Sequence, residues 1–141
     1  MYIKLIVPIA PTGKGRPKFA RRGNFVKTYT PDATASAENL VKVIYQRDGK
    51  KAWFCGAFAL NVECLFERPK NHYNRKGLVK ENATKQCTKK PDCDNVLKLI
   101  CDALNGLAYK DDSQCVLATC SKRWADYNEN PCMVVTIDDE V

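Results

Sequence analysis

Histidine is almost absent from this chain of 141 residues, which contains only His72. A Ser/His/Asp triad would have to use that one side chain, and it lies in a strongly basic segment with little to bury. A structural zinc site is also disfavoured, because the eight cysteines include no C-x-x-C pair and the usual ligand spacing is missing. The sequence therefore argues against triad hydrolysis and against zinc binding.

Long apolar runs are missing as well. No stretch approaches the roughly 20 apolar residues of a membrane helix, and the opening MYIKLIVPIA is too short and too interrupted by proline to be a secretory signal. In the absence of an export signal we expect the cysteines to be reduced thiols. We therefore expect a cytoplasmic protein without a membrane partner.

Two ligand-binding motifs fail on inspection. Gly13-Lys14 does not belong to a phosphate-binding loop, because Pro8 occupies the place of the first glycine and Gly15 that of the Ser/Thr. A calcium loop beginning at Asp92 would require oxygen ligands where the sequence has Val96 and Ala103. We expect no organic cofactor.

Charge is distributed unevenly along the chain. Residues 1–90 contain 19 Lys/Arg against 6 Asp/Glu, whereas residues 91–141 contain 4 against 10, so the net charge of +7 divides into +13 and −6. A field of one sign on this scale favours a polyanion, either nucleic acid or an acidic membrane surface. The alternative is charge that serves only solubility.

Hydrophobic patterning predicts a mixed α/β (α+β) fold, with residues 1–141 forming a single small domain. Four segments have the character of strands: YIKLIVP, AFALNVECLF, QCVLATCSKRW and CMVVTID. We expect a mixed sheet of four to five strands in which AFALNVECLF is central. The last two strands are joined by the polar turn ADYNENP and are therefore expected to pair antiparallel.

Two main helices are predicted. The first runs from about 31 to 47 behind Thr30 as N-cap and Pro31 at the first helical position. The second covers DNVLKLICDALNG, with Asp94 as N-cap and Gly106 as the C′ residue.

Two basic segments lack apolar periodicity. IAPTGKGRPKFARRGNFVKTY is predicted to be a loop or arm, and the segment 68–90, with eight Lys/Arg and one acid, is predicted to be a mobile surface loop that orders on a phosphate backbone.

An acidic constellation surrounds the second helix. Asp92 and Asp94 are two residues apart, so an extended backbone would point both carboxylates to one side just before the helix. Asp111 and Asp112 follow the helix and would supply a third ligand if the chain doubles back. Such a sparse oxygen site suits Mg²⁺, which keeps water and substrate phosphate among its ligands.

Lys98 lies four residues beyond Asp94 and hence on the same face of the helix, with Asp102 one turn further. From there an ammonium can neutralise charge that develops on a phosphoryl oxygen or a leaving group. Each feature alone has a simpler reading as a helix cap, a surface ion pair or a turn. Their conjunction within a basic protein favours a functional site.

Four motifs in the sequence resemble those of a known family. The likeness spans nearly the whole chain and rests on PTGKGRPK, TYTP with Glu38 seven residues beyond its proline, KPDCDNVLKLICDALNGLAYKDDSQ, and SKRW. These motifs resemble the RusA family of Holliday junction resolvases. The only local departure is Cys115, inserted before Val116, and it removes no functional position.

The resemblance implies a homodimer that cleaves branched DNA, the four-way junction, by paired nicks with Mg²⁺, for which Mn²⁺ substitutes. By position, Asp92, Asp94 and Asp112 match the metal-binding acids, Asp111 is a further candidate ligand, and Lys98 matches the catalytic lysine. The candidates for DNA contact are basic residues of the two irregular segments: Lys14, Arg16, Lys18, Arg21, Arg22, Arg75 and Lys76. The process served is left open between chromosomal recombination or repair and phage DNA processing.

A second class of function is consistent with the same composition. In this alternative the protein is a non-catalytic basic module that recognises branched DNA, and its acids only cap a helix and shape a turn.

Overall fold

The computed structural model describes residues 1–15, 18–29 and 32–141, and within 18–29 the described side chains are those of Arg21, Asn24 and Val26. The elements follow the order β1–β2–β3–α1–β4–α2–β5–β6. Their bounds are β1 Tyr2–Val7, β2 Lys18–Arg22, β3 Phe25–Tyr29, α1 Asp32–Asp48, β4 Phe58–Phe66, α2 Cys93–Leu104, β5 Cys115–Trp124 and β6 Cys132–Asp138. Among the described residues, no helix is long and apolar enough to cross a membrane.

The main sheet has four strands in the order β1-β6-β4-β5. Strands β1 and β4 both run antiparallel to β6, whereas β5 runs parallel to β4. The parallel pair requires a long crossover, and α2 lies within that connection. The predicted fold class, a mixed sheet with two main helices, is confirmed.

The expected pairing of the last two strands is wrong. Strands β5 and β6 run in opposite directions, but β4 lies between them and bonds to both. The intervening segment 125–131 is long enough, at about 3.3 Å per residue, to pass one strand spaced about 5 Å from each neighbour. A short polar connection therefore identified the direction of the strands but not their neighbours.

The basic segment near the N-terminus is not only a loop. Strands β2 and β3 form a separate antiparallel hairpin in which Arg22 pairs with Phe25, leaving Gly23 and Asn24 as a two-residue turn. Gly23 has φ +58°, the left-handed conformation that such turns require. The predicted N-cap Thr30 and Pro31 lie outside the described residues.

The core lies between one face of the sheet and the two helices that pack on it. In β4, Phe58, Leu60, Val62 and Cys64 are all buried, as the alternation predicted. Helix α2 contributes a buried stripe formed by Val96, Leu99, Ile100, Ala103 and Leu104. The opposite face of the sheet leaves Tyr2 and Ile6 more than half exposed.

The segment expected to be a mobile loop is fastened to the end of the sheet by Arg68. The guanidinium is buried and donates to the carbonyl oxygens of Ala125 at 2.9 Å and Thr84 at 3.1 Å. The backbone N–H of Trp124 also donates to Lys85 O at 2.9 Å. Because a buried guanidinium needs acceptors, Arg68 fixes the path of a segment that has few apolar residues.

A second arginine clamps the connection between β5 and β6. Arg123 Nη1 and Nη2 lie 2.6 and 2.7 Å from the two carboxylate oxygens of Glu129, and Nε donates to Glu63 on β4 at 2.9 Å. The Arg123 hydrogen bonds, helped by the Asp126 N–H, lower the pKa of Glu129 to about 2. Since the folded state favours the ionised carboxylate, this pair stabilises the fold above the ordinary carboxyl pKa and loses its effect as pH falls towards 2.

Replacing Glu129 by Gln is therefore expected to lower the free energy of unfolding by about 1 kcal/mol at pH 7 and by less at pH 3, where part of the effect of the pair is already lost. Chemical denaturation at both pH values measures the difference, and Glu81→Gln, which changes an exposed carboxylate, is the matched control. A Glu129→Gln variant as stable as the parent chain at pH 7 would contradict the clamp.

Candidate active site

Helix α2 presents a column of charge on its solvent side. Asp94, Lys98 and Asp102 follow one another at intervals of four residues, so they occupy one face about a turn apart, opposite the buried stripe. The N-cap lies two positions earlier than predicted: it is Asp92, not Asp94, because the backbone of Asp92 is still extended (φ −73°, ψ 151°) while its carbonyl accepts from Val96 N–H. Asp94 therefore lies in the first turn.

Both carboxylates at the start of α2 are exposed. The side chain of Asp92 makes no capping hydrogen bond to the helix. The free N–H groups of a helix N-terminus carry partial positive charge and stabilise anions there, which keeps two neighbouring carboxylates compatible with the fold. The oxygens of Asp92 thus remain available to a ligand from solvent.

The chain does double back after α2, as the third-ligand hypothesis required. Gly106 follows the C-cap Asn105 with φ +75°, the predicted C′ role, and its N–H donates to Tyr109 O at 2.8 Å. Tyr109 is fully buried, stacks on Phe58 with ring centroids 4.5 Å apart, and donates through its hydroxyl to Cys101 O at 3.0 Å. This turn is therefore anchored on both the sheet and the helix.

The anchored turn delivers Asp112 to the charged face of α2. Asp112 opens a short 3₁₀ turn before β5, and its Oδ2 lies 3.9 Å from Lys98 Nζ. Lys98 Nζ also lies 3.0 Å from Asp102 Oδ1. The structure thus brings together Lys98, Asp102 and Asp112 from two separate parts of the sequence.

Asp111 has a local role in the same turn. Its Oδ1 accepts from Ser113 N–H at 3.0 Å, while Gln114 Oε1 accepts from Asp111 N–H at 3.1 Å, forming a capping box. These Ser113 hydrogen bonds lower the pKa of the Asp111 carboxyl. Gln114 in turn donates to Phe54 O and Gly56 O, which ties the turn to the chain before β4. Asp111 thus shapes the turn that carries Asp112.

Lys14 reaches the same helix face from the N-terminal segment. Its ammonium contacts Glu38 of α1 and lies 3.1 Å from Asp102 Oδ2, so Asp102 is shared between two lysines. Lys14, Glu38 and Asp102 all have side chains no more than 24% exposed. The sequence had suggested DNA contact for Lys14, which stays a prediction, but its ammonium is already engaged within the protein.

The backbone around Lys14 is fixed to both helices. Lys14 N–H donates to Asn95 O at 2.8 Å, and Gly15 N–H donates to the hydroxyl of buried Thr34 at 2.9 Å. A Cβ on Gly13 would lie 2.9 Å from Pro91 Cβ and 3.0 Å from Asn95 Cβ, closer than ordinary contact. Glycine at 13 therefore permits the segment to cross directly over the start of α2.

Opposing effects set the pKa values in this network. For Lys98, the hydrogen bond to Asp102 is the largest cause and raises the pKa of the ammonium. For Asp102, partial burial alone would raise the pKa, but the hydrogen bonds from Lys98 and Lys14 outweigh it and the pKa is lowered. Lys14 likewise loses some stabilisation of its charge to burial and regains more from Glu38 and Asp102, so its pKa is raised. All three groups are therefore charged at neutral pH.

The carboxylates of Asp92 and Asp94, at the exposed N-terminus of α2, supply the oxygen ligands that a hard divalent cation prefers. In the ranges 1–15, 18–29 and 32–141, no three His, Cys, Asp or Glu side chains lie close enough to hold a metal ion as they stand. Carboxylates repel one another when no cation lies between them. To share a metal ion, the side chains of Asp92, Asp94 and Asp112 would have to turn towards one another. The three-acid metal site stays a prediction.

Of the seven basic candidates for DNA contact, the structure describes the side chains of Lys14, Arg21, Arg75 and Lys76. Arg75 and Lys76 are exposed in a turn of the fastened segment. Arg21 is exposed in the hairpin and its Nε donates to Gly23 O at 3.1 Å. Arg16 and the side chains of Lys18 and Arg22 lie outside the described part of the chain.

Sequence reasoning identified Lys98 and Asp102 as neighbours on a helix but missed their link to Lys14 and Glu38. One signal was available in the sequence. Glu38 follows Ala37 at the apolar side of α1, so partial burial of the Glu38 side chain could have been anticipated. Charge on the partly buried side of a helix calls for a partner, but the sequence offered 23 Lys/Arg and no means to choose among them.

Two comparisons with known proteins place this arrangement in context. A sequence model of the family described as Endodeoxyribonuclease RusA matches residues 8–138. The chain is also 34% identical over 138 residues to the Bacillus subtilis (strain 168) protein named "Uncharacterized protein YqaN", covering 96% of this chain and 94% of that protein.

Proposed function

Because the chain belongs to the RusA family and is a Holliday junction endodeoxyribonuclease, we propose that residues 1–141 act as one domain that resolves four-way DNA junctions by paired, symmetric nicks. The observation that supports this most directly is the approach of Asp112 to Lys98, one helical turn from Asp94, in a chain whose first 90 residues carry a net +13. We propose DNA recombination and repair, whether chromosomal or of phage origin, as the process served, and hence a cytoplasmic location on DNA.

Nucleases of this family are metal-dependent, and we propose Mg²⁺, with Mn²⁺ as a substitute. Asp92, Asp94 and Asp112 would hold the ion, with Asp111 beside them as the residue that shapes the turn. When bound, the ion supplies Lewis acidity that activates water and polarises the scissile phosphate. The acids must be ionised for this role, because a hard divalent cation takes carboxylate oxygens as its ligands.

Lys98 is proposed as the catalytic cation. Phosphodiester hydrolysis builds up negative charge on the phosphoryl oxygens and the leaving group, and a positioned ammonium offsets that charge. The side chain is 58% exposed, so its end is reachable by a DNA strand, and its position is fixed by ion pairs with Asp102 and Asp112. A fixed ammonium does not have to reorganise as the charge develops.

We also propose that the protein is a homodimer, because this assembly matches the symmetry of the substrate. A four-way junction has approximate two-fold symmetry, and two sites related by a two-fold axis could each nick one strand. The open face of the sheet supports an interface, because Tyr2, Ile6 and Leu117 are each more than half exposed there. Exposed apolar side chains on one face are typical of protein interaction surfaces.

Incubation of a labelled four-way junction with the protein tests the proposal. We expect symmetric nicks in Mg²⁺ and none in EDTA, and much weaker cleavage of a linear duplex that contains the same sequences. Forks and flaps in the same assay define the range of branched substrates. Tight junction binding without cleavage in either Mg²⁺ or Mn²⁺ would instead favour the non-catalytic DNA-binding module.

The salt dependence of binding provides a separate check on the basic surface. Because Lys and Arg contacts release counterions from phosphate, affinity should fall steeply between 50 and 200 mM salt, by about 10³-fold or more for six contacts. Electrophoretic mobility shifts with metal withheld measure this slope. Affinity that is unchanged across this range would contradict DNA contact by the basic segments.

A further inference from the structure

We propose that Asp102 is a positioning residue for the catalytic lysine, held in place by Lys14 and Glu38 from the other side. The ammonium of Lys98 would then take its orientation from a chain of contacts that begins in the N-terminal segment: Glu38, Lys14, Asp102, Lys98. This inference rests on the proposed nuclease function and on the catalytic role of Lys98.

The geometry of Asp102 supports this role. Its two carboxylate oxygens are divided between two ammonium groups, Oδ1 3.0 Å from Lys98 Nζ and Oδ2 3.1 Å from Lys14 Nζ. With both oxygens engaged, the carboxylate cannot rotate without losing one ion pair. Lys98 therefore has a fixed partner in Asp102, in addition to Asp112, whose Oδ2 lies 3.9 Å from Lys98 Nζ.

Lys14 is suited to hold Asp102 because it is itself immobilised. Its backbone N–H is bonded to Asn95 O in the first turn of α2, and the neighbouring Gly15 N–H is bonded to Thr34 of α1. Its ammonium also contacts Glu38, whose side chain is only 16% exposed. Lys14 thus links the start of α1 to the exposed face of α2.

This arrangement assigns Lys14 a different task from the other basic residues near the N-terminus. An ammonium that is 24% exposed and shared between two carboxylates has little capacity left for a DNA phosphate. Lys98, by contrast, is 58% exposed, so one of the two lysines on Asp102 faces solvent and the other faces the protein. The difference in exposure separates the supporting lysine from the one that meets substrate.

A positioning role has a distinctive consequence for rates. Misplacement of a catalytic group by about 1 Å slows a reaction about 100-fold without removing the group or weakening the binding of substrate. Asp102→Asn keeps the shape of the side chain and removes its charge. We expect the single-turnover cleavage rate at saturating junction to fall about 10- to 100-fold, with junction affinity measured in EDTA within about threefold of the parent.

A double-mutant cycle with Lys98→Ala distinguishes positioning from a general loss of structure. If Asp102 acts through Lys98, Asp102→Asn should slow the parent enzyme but cause no further loss in the Lys98→Ala background. Lys14→Gln should reproduce the effect more weakly, about fivefold, and decides the question if Asp102→Asn does not fold. Asp48→Asn, which breaks the exposed Arg47–Asp48 pair on α1, is the matched control and should keep the parent rate.

The possible outcomes separate this inference from the function on which it rests. A parent-like rate for Asp102→Asn, or an equal further loss on top of Lys98→Ala, would overturn the positioning role while leaving the nuclease intact. A parent-like rate for Lys98→Ala would remove the catalytic lysine and the positioning role with it. Absence of cleavage by the parent protein would count against the proposed function itself.

Discussion

Replacing Asp94 by Asn is expected to reduce junction cleavage in Mg²⁺ by at least about 100-fold while junction binding stays within about threefold. The amide has the shape of the carboxylate and can remain in the first turn of α2, but it is a neutral and weaker ligand for a divalent cation. Loss of a negative charge near a DNA strand does not oppose phosphate binding. The expected result is therefore a protein that binds junctions and does not cut them.

Single-turnover cleavage over a range of Mg²⁺ concentrations measures this effect together with junction affinity in EDTA. The matched control is Asp32→Asn, which changes an exposed aspartate in the first turn of α1 and tests the loss of a helix-terminal charge alone. Full cleavage by Asp94→Asn at low Mg²⁺ would eliminate Asp94 as a ligand and leave it as a helix-stabilising charge.

Replacing Lys98 by Ala is expected to lower the rate of cleavage about 100- to 1,000-fold at saturating junction, which corresponds to about 3–4 kcal/mol of transition-state stabilisation. An ammonium that acts only on charge developing in the transition state affects the rate and not the affinity for the ground state. The junction dissociation constant should therefore change little.

The comparison that isolates this effect is Arg47→Ala, which removes one positive charge from an exposed position near the end of α1. Both variants lose the same formal charge, so any shared decrease in affinity reports the general field and any excess decrease in rate reports Lys98. Rates for Lys98→Ala that recover fully as the junction concentration rises would show that the lysine only binds DNA.

Local features of the fold were predictable because their signals are local. Helix α2 could be placed within one or two residues from its apolar spacing and from Gly106, whose left-handed backbone ends the helix. The burial of alternate residues in β4 was visible in the same way. The sequence cannot decide between Asp92 and Asp94 as the N-cap, because aspartate is a good cap at either position and only the backbone conformation separates the two.

Non-local features were harder to predict. The position of β4 between β5 and β6 depends on which strands meet across the whole chain, and the polar turn ADYNENP contains no information about that order. The hairpin of β2 and β3 had a signal, the Gly23-Asn24 turn, but the flanking residues are rich in Lys and Arg and conceal the alternation. The ion pair of Lys14 with Asp102 joins residues far apart in sequence.

The acids of the proposed site illustrate both cases. Asp92, Asp94 and Lys98 could be grouped from spacing alone, because a helix start fixes their relative positions. Asp112 approaches Lys98 only through the buried anchor Tyr109 and its stack on Phe58, which depend on tertiary packing.

The position of β6 in the sheet also has a consequence for biosynthesis. Strand β1 is synthesised before the other described strands of the main sheet, yet the strand with which it pairs there, β6, is synthesised after them. Contacts of such long sequence separation slow folding and leave early segments exposed to aggregation or chaperone capture. The nascent polypeptide therefore cannot complete the main sheet until β6 has been synthesised. A ribosome that stalls before residue 132 would release a product in which β1 is unpaired.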